Sequence, residues 1–523
     1  MTPGGCPARL AGAAAVLLAL AWLAATAWVR PLMVPDEGRY VGVAWEMLRS
    51  GNWLVPTLDG LPYFHKPPLF YWLTAASLST FGMNEWAARL APFLGAATAA
   101  VGLHAFARRW ADARTANFAL LVLVTQPLFF LGAQYANLDM LVGGCVTAAI
   151  LASAHVVLQA REGQAARGAL ALAYLFAALG FLAKGLIGVA LPVMVMTVWL
   201  LVLRQWRLAL SLLGLPGLAL FLLVGLPWLA AMQAQFPDFA YYFFVVQHFK
   251  RYADAGFNNS QPFWFYPAAL ALATLPWSLW LPAAAFKRYW ADRRLGPVRV
   301  LMWIWLITIT AFFSLPESKI IGYLLPVAVP LAYLIGDAAL HFIAARPWFG
   351  KLWQLSAVAA AIACLSAIAW TAANPGKSLR SLGQALAQQA APGEPLLFLH
   401  DYYFDIAFYA RSGQAARVVE DWDDPEIERR DNWGKELLDA KRFASGSRAQ
   451  VLVAPAAVEE AVCAATPTWL IGNWKVMPRY PALARAREIA RSGEMVLWRL
   501  PGGSAAGGAD NCASASPTPP AGK

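Results

Sequence analysis

Short polar clusters interrupt an otherwise apolar chain, and their residue types suggest chemistry on an anion. The first is Pro35-Asp36-Glu37-Gly38-Arg39-Tyr40. Asp36 and Arg39 are three positions apart, so on a helix they share a face. That pairing reads either as an N-terminal cap with a surface ion pair, or as a carboxylate held beside a guanidinium that attracts an anion. The second cluster is Tyr63-Phe64-His65-Lys66-Pro67-Pro68 followed by Leu69-Phe70-Tyr71-Trp72. Its prolines fix an extended or turning entry into an aromatic helix. Lys66 then sits at headgroup level, either snorkelling or holding a phosphate. Asp139, in Ala136-Asn137-Leu138-Asp139-Met140, opens an apolar helix, where a carboxylate suits the positive end of the dipole. Lys184 is a lone cation between two apolar runs. Gln247-His248-Phe249-Lys250-Arg251-Tyr252 precedes Pro262-Phe263-Trp264-Phe265-Tyr266, and Pro316-Glu317-Ser318-Lys319 precedes Tyr323. Cations imply an anionic ligand, the apolar setting implies a lipid tail on it, and carboxylates imply proton handling or sugar hydroxyl binding. Lys and Arg at a departing lipid phosphate would stabilise its charge.

The elements that must position these groups are membrane helices. Of 523 residues, 59% are hydrophobic and only 14% charged, where a soluble chain averages about 25% charged. Mean hydropathy is +0.50. Disorder is excluded and a wholly soluble enzyme is disfavoured. The 24 Trp fit a protein with two membrane interfaces. The net charge of +11 is no nucleic-acid footprint, because no basic run interleaved with aromatics occurs. The first apolar segment, about Leu10–Val29, is read as a spanning helix rather than a cleaved signal, since it is long for a signal and a charged cluster follows it. Further segments near Trp86–Phe106, Met140–Leu158, Leu208–Ala231, Ile320–Phe342 and Leu352–Ala372, with those between, predict about 11–13 helices.

The loop charges orient them. Arg108, Arg109 and Arg114; Arg161 and Arg167; Arg204 and Arg207; Lys287 to Arg299; and Arg346 with Lys351 fall in alternate gaps and are assigned to the cytoplasm. The polar clusters then face the periplasm or exterior, where the gaps include two long loops, 30–85 and 232–263. An α-helical polytopic domain over 1–373 is therefore expected. Residues 374–501 are more charged, with strand-like runs at Pro395–Leu399, Val451–Ala454 and Met495–Leu500, and read as a small extracytoplasmic α/β domain. The Gly-, Ala-, Ser- and Pro-rich 502–523 read as a disordered tail. The cysteines include no C-x-x-C pair. Cys145 and Cys364 read as small core residues, while Cys463 could pair with Cys512 if the region is extracytoplasmic.

In the order D-E-G-R-Y at Asp36–Tyr40, S-G-N-W-L-V-P at Ser50–Pro56, H-K-P-P-L-F-Y-W at His65–Trp72, L-D-M at Leu138–Met140, A-K-G at Ala183–Gly185, Q-H-F-K-R-Y at Gln247–Tyr252, P-F-W-F-Y at Pro262–Tyr266 and S-K-I-I-G-Y-L-L-P at Ser318–Pro326, the chain resembles membrane glycosyltransferases of the GT-C fold. The resemblance is to the aminoarabinose lipid A transferase and protein mannosyltransferase superfamily, over about the first 340 residues. It implies a polyprenyl-phosphate sugar donor, in keeping with the lack of a phosphate-cradling glycine loop. It makes Asp36 the catalytic carboxylate and Asp139 a second essential acid. Lys66, Lys184 and Arg251 would hold the donor phosphate with Arg39, and Glu37, Tyr40, Lys319 and Tyr323 would support the site. The aminoarabinose transferases carry Glu where this chain has His65, and there the Glu and the loop histidine, here His248, are associated with zinc. His65 and His248 are therefore candidate ligands for zinc or another divalent metal, though no cofactor is required.

The expected reaction is an inverting displacement at the anomeric carbon, on lipid A phosphate, a glycan or a protein hydroxyl. Asp36 serves as general base only for a hydroxyl acceptor. The remaining readings are a protein O-mannosyltransferase, and a transporter or flippase of lipid-linked anions. A transporter would carry its polar residues at mid-membrane rather than at one surface. The expected setting is the inner membrane, as a monomer among membrane lipids, with no nucleic-acid partner.

Overall fold

The computed structural model describes residues 5–250, 260–287, 289–292, 294–444 and 450–502. Contacts divide the chain into two units, residues 1–31 with 64–375, and residues 32–63 with 376–523. The segment 32–63, expected among the loops of the membrane domain, thus packs with the C-terminal residues.

The first unit is helical, as its long apolar runs dictate. Seven helices in the described residues are long and apolar enough to cross a membrane. Among them are α5 (Leu90–Trp110), α8 (Leu138–Arg161), α9 (Arg167–Lys184) and α11 (Leu215–Gln235), with later spans at Gly296–Ser314, Ile321–Ala345 and Trp348–Ala373. Two bent pairs add further candidates. α6 (Ala113–Thr125) and α7 (Pro127–Ala133) meet at 68°, and Phe265–Ala273 meets Trp277–Ala285 at 115°. Each break falls at a proline, Pro127 and Pro276, where the ring excludes a helical donor. α1 (Gly5–Ala24) and α10 (Ile187–Val202) are shorter apolar helices. The chain is a multi-pass membrane protein.

Without a hydrophobic drive between helices in lipid, small residues set their approach. α5 and α8 cross at Gly95 and Gly144, where a Cβ on Gly144 would meet Gly95 Cα at 2.6 Å. α9 and α10 meet at Gly180 and Gly188 in the same way. Buried charges satisfy the backbone where helices end. Arg89, 1% exposed, donates to the carbonyls of Ala27 at 2.6 Å, Arg30 at 2.9 Å and Pro31 at 2.8 Å, just beyond α1. Arg30 donates in turn to the Gln134 carbonyl at 2.6 Å. Elsewhere in the bundle Arg299 and Asp337, both fully buried, pair at 2.7 Å and join the helices Gly296–Ser314 and Leu325–Ala345.

The second unit holds a six-stranded sheet in the order β5-β4-β3-β6-β8-β7. β3 (Leu396–Leu399) pairs in parallel with β4 (Arg417–Val419) and β6 (Thr468–Asn473), and β4 pairs in parallel with β5 (Leu452–Val453). β8 (Met495–Leu500) runs antiparallel to β6 and to β7 (Arg487–Ser492). Leu397, Leu399, Val419, Leu470, Val496 and Trp498 form its core, as expected of nearly continuous apolar strands covered on both faces. The expected α/β domain is present. Cys463 within it is disulfide-bonded, whereas Cys512 lies outside the described residues and Cys145 and Cys364 are buried and free.

Into this unit the chain inserts α2 (Asp36–Ser50) and the hairpin β1 (Thr57–Leu58) and β2 (Leu61–Pro62). α2 approaches the C-terminal part at Gly38, where a Cβ would lie 2.9 Å from the Asp405 amide nitrogen. Glu46 of α2 is buried and accepts from Thr57 Oγ1 at 2.7 Å and from the Asp59 and Gly60 amides at 2.6 and 2.9 Å. Asp59 accepts from the Ala416 amide at 2.8 Å. Burial pushes the carboxyls of Glu46 and Asp59 above their ordinary range, and for Asp59 the neighbouring Glu46 adds to the rise.

Candidate functional site

The sequence-derived candidates fall into two groups, one in each unit. In the membrane unit, Asn137 caps α8 by accepting from the Asp139 amide at 2.8 Å, which places the Asp139 carboxylate on the first turn. A carboxylate there meets the positive end of the helix dipole. Lys184 is the last residue of α9, at the negative end of its own helix, and Gly185 turns the chain away at φ 78°. Asp139 and Lys184 form an ion pair, with side chains 8% and 10% exposed. Asn137 Nδ2 donates to the second oxygen of Asp139 at 3.1 Å.

Tyr323, from a 3-10 turn at Ile321–Leu324, lays its ring 4.4 Å from the Lys184 ammonium. Gly322 is the close-approach residue of that turn, since a Cβ there would lie 2.8 Å from Asp139 Cγ. The turn is pinned from its other side. Buried Lys319 donates to the carbonyls of Gln261, at 2.8 Å, and Pro316. Tyr266 Oη donates to the Ile320 carbonyl at 3.1 Å and accepts its amide at 3.0 Å. Lys319 therefore acts on the peptide backbone, holding Tyr323 against Lys184 and Asp139.

His65 and Lys66 lie at the turn before α3 (Leu69–Phe81). His65 is 8% exposed with its ring 6.0 Å from that of Tyr242, and Lys66 is half-buried. Arg251 and the side chain of His248 lie outside the described residues. Among the described residues no group of three or more His, Cys, Asp and Glu is arranged to hold a metal ion.

In the second unit Asp36 and Arg39 do share one face of α2 and form an ion pair. Arg39 also pairs with Glu436, on the helix Trp433–Lys441, and its guanidinium lies 5.6 Å from the Phe404 ring and 5.2 Å from that of Tyr40. Burial opposes the charge of Arg39, but Glu436, with Tyr40, Tyr63 and Asp36, outweighs it and holds the pKa well above its ordinary value. Asp36 remains 34% exposed, reachable from outside. Glu37 instead turns back to accept the Met33 amide at 2.8 Å, closing the start of its own helix.

Sequence reasoning missed Glu436, Arg89, Arg30 and Gln134. Glu436 lies in an ordinary charged helix and carries no local signal. Arg89 was legible as an ionisable residue inside an apolar run, which is costly unless it is paired.

A helical bundle with an acid–lysine pair at one set of helix ends, joined to a small α/β unit, has a known counterpart. ArnT from Cupriavidus metallidurans, solved bound to undecaprenyl phosphate, superposes with a TM-score of 0.75 at 25% identity, over 93% of this chain and 97% of that one. The chain has the ArnT fold. Residues 65–230, which include His65, Lys66, Asp139 and Lys184, match the family described as dolichyl-phosphate-mannose-protein mannosyltransferase. The undecaprenyl phosphate-alpha-4-amino-4-deoxy-L-arabinose arabinosyl transferase of Pseudomonas aeruginosa (strain LESB58) is 38% identical over 59% of this chain and 55% of its own length. That of Serratia proteamaculans (strain 568) is 34% identical over 63% of this chain and 59% of its own. The chain thus spans little more than half the length of these relatives. The resemblance to ArnT-like and mannosyltransferase proteins drawn from the motifs is borne out.

Proposed function

We propose that this chain is an integral-membrane glycosyltransferase. It moves a sugar from a polyprenyl-phosphate donor to an envelope acceptor, lipid A phosphate as in aminoarabinose transfer, at the periplasmic face of the inner membrane. The observation that carries the reading is the Asp139–Lys184–Tyr323 cluster, two of whose members fall in the matched segment, in a chain with the fold of an ArnT that binds undecaprenyl phosphate.

The acceptor oxygen attacks the anomeric carbon, and the bond from that carbon to the phosphate oxygen breaks on the opposite face. The electron pair leaves with the polyprenyl phosphate, whose gain of negative charge is the part of the transition state that a cation can stabilise. Lys184, fixed by Asp139 and by the Tyr323 ring, is suited to this, with Lys66 and Arg251 as further phosphate ligands. A lipid A phosphate is already anionic and needs no base. Asp36 then orients the sugar or stabilises positive charge at the reacting carbon, while Arg39 and Glu436 fix its position. With a hydroxyl acceptor the proton passes to Asp36 instead. The match to the mannosyltransferase family supports that second acceptor class.

Transfer is tested with the purified chain in liposomes holding an undecaprenyl-phosphate aminopentose and lipid A, read by mass spectrometry of the lipid. A product heavier by one aminopentose residue is expected, and it should be absent with Asp36→Asn. Sugar on a peptide but never on lipid A would replace the acceptor. Undiminished transfer by Asp36→Asn would remove that residue from the chemistry.

A further inference from the structure

The turns that join α8 to α9 and α10 to α11 lie at one end of the bundle. Lys184 lies at the other, about 25 Å away along α9 at 1.5 Å per residue. After α10, Arg204 takes φ 53°, a left-handed conformation that ends the helical path. A 3-10 turn over Trp206–Leu212 follows, and Gly214 then opens α11. Tyr174 of α9 ties this turn to the bundle by donating to the Leu212 carbonyl at 3.0 Å. The Tyr174 ring lies over Gly217, where no Cβ would fit, so α11 can start close against α9.

Behind the turn the helices leave a cavity of about 490 Å³. Its walls include Ala173 and Ala177 of α9, Met196 and Leu200 of α10, Phe221 of α11 and Trp206 of the turn. The two alanines keep it open, since a larger side chain at either would fill it. Water finds few polar partners there. The Tyr174 hydroxyl is engaged with Leu212, and the remaining hydroxyls are those of Ser153 and Thr197. In a chain that spans a bilayer, the solvent of such a cavity is hydrocarbon.

The rim decides which hydrocarbon. Arg161 and Arg167 flank the first turn and Arg204 and Arg207 the second, and all four are exposed. The acid within these turns is Glu162, whose carboxylate faces Arg109 at 3.7 Å. Trp206 is a wall of the cavity and is 62% exposed, and the Arg207 guanidinium stands 5.6 Å from its ring. A cation therefore sits at the mouth. Leu210 and Leu213 of the same stretch are exposed as well. Exposed Trp and Leu beside arginines compose a membrane interface, and basic pockets between membrane helices collect anionic headgroups.

We propose that this cavity binds an anionic glycerophospholipid of the bilayer, with an acyl chain between α9, α10 and α11 and the phosphate held by Arg204 and Arg207. A polyprenyl donor whose phosphate sits at Lys184 cannot place that phosphate on these arginines, so the occupant is a second lipid. The site rests on the membrane-spanning character of the helices and not on the assignment of sugar transfer.

The test is native mass spectrometry of the full-length chain released from nanodiscs of phosphatidylcholine and phosphatidylglycerol. A retained phosphatidylglycerol is expected, bound roughly tenfold or more tighter than phosphatidylcholine. An arginine at the membrane surface contributes about fivefold, so Arg204→Gln and Arg207→Gln should each weaken retention about fivefold and together roughly 25-fold. Ala177→Phe fills the cavity from α9 and should expel the lipid at an unchanged melting temperature. Excess undecaprenyl phosphate should leave the phosphatidylglycerol in place. Equal retention of the two phospholipids, retention that survives the double arginine variant, or displacement by undecaprenyl phosphate would overturn the proposal.

Discussion

Replacing Lys184 by Met removes the ammonium while keeping much of the side-chain volume. Asp139, with its side chain 8% exposed, is then left as a buried carboxylate whose remaining side-chain donor is Asn137 Nδ2 at 3.1 Å. Stripping one partner from a buried ion pair costs about 3–5 kcal/mol. The N-terminal dipole of α8 returns up to about 2 kcal/mol to the carboxylate in partly buried geometry. The net expectation is a loss of roughly 1–5 kcal/mol, read as a lower melting temperature in detergent. Adding Asp139→Asn removes the uncompensated charge, so the double variant should melt above Lys184→Met alone, with a coupling of at least about 1 kcal/mol.

Sugar transfer behaves differently. A charge-assisted hydrogen bond to the leaving phosphate contributes about 1.5–3 kcal/mol, so transfer falls roughly 10- to 150-fold in Lys184→Met. It should stay low in the double variant although stability returns. A double variant no more stable than Lys184→Met would refute the buried-pair reasoning. Undiminished transfer by Lys184→Met would refute the phosphate role.

Other outcomes follow from the same geometry. Arg39→Leu removes the guanidinium paired with Glu436 and should destabilise the second unit by up to about 3–5 kcal/mol, with part of the loss recovered by Glu436→Leu in the same chain; differential scanning fluorimetry reads both. Burial raises Asp405 from its usual 3.8 to about 6, so the folded state holds the proton more tightly. Its contribution is intact below pH 4 and is lost as pH rises through about 6. Asp405→Asn should therefore flatten the decline in melting temperature between pH 4 and 7, a term of roughly 2–3 kcal/mol. Gly144→Ala forces α5 and α8 apart at Gly95 and should cost about 1–3 kcal/mol, seen as a lower melting temperature in detergent.

The legible parts of this molecule are those written in local periodicity. Apolar runs located the helices, and the three-residue spacing of Asp36 and Arg39 predicted their shared face. The rise in charge after Asn374 marked the α/β unit. The positions of Asp139 and Lys184 at opposite ends of adjoining apolar runs were also visible, because ionisable residues are conspicuous in such a chain. What stayed hidden is long-range. Glu436 pairs with Arg39 across 397 positions, and Tyr409 Oη accepts the Leu32 amide across 377, neither with any mark in its own neighbourhood. The membership of 32–63 in the second unit was obscured because a loop between two membrane helices reads the same wherever it packs. Lys319 was expected at the site as a cation, but it donates to the main-chain carbonyls of Gln261 and Pro316, a role that composition does not distinguish.

The split membership of 32–63 sets an order of events during synthesis. α2 and its hairpin emerge early, yet Glu436, Tyr409 and the Ala416 amide are made only after more than 300 further residues. At about 5–20 residues per second this segment waits on the order of 15–70 s for its counterparts. Throughout that interval Arg39 and Asp59 must stay hydrated or be shielded by another protein. A ribosome stalled before residue 400 would therefore leave the helix of Asp36 as an open target for proteases, even when every preceding span is already in the bilayer.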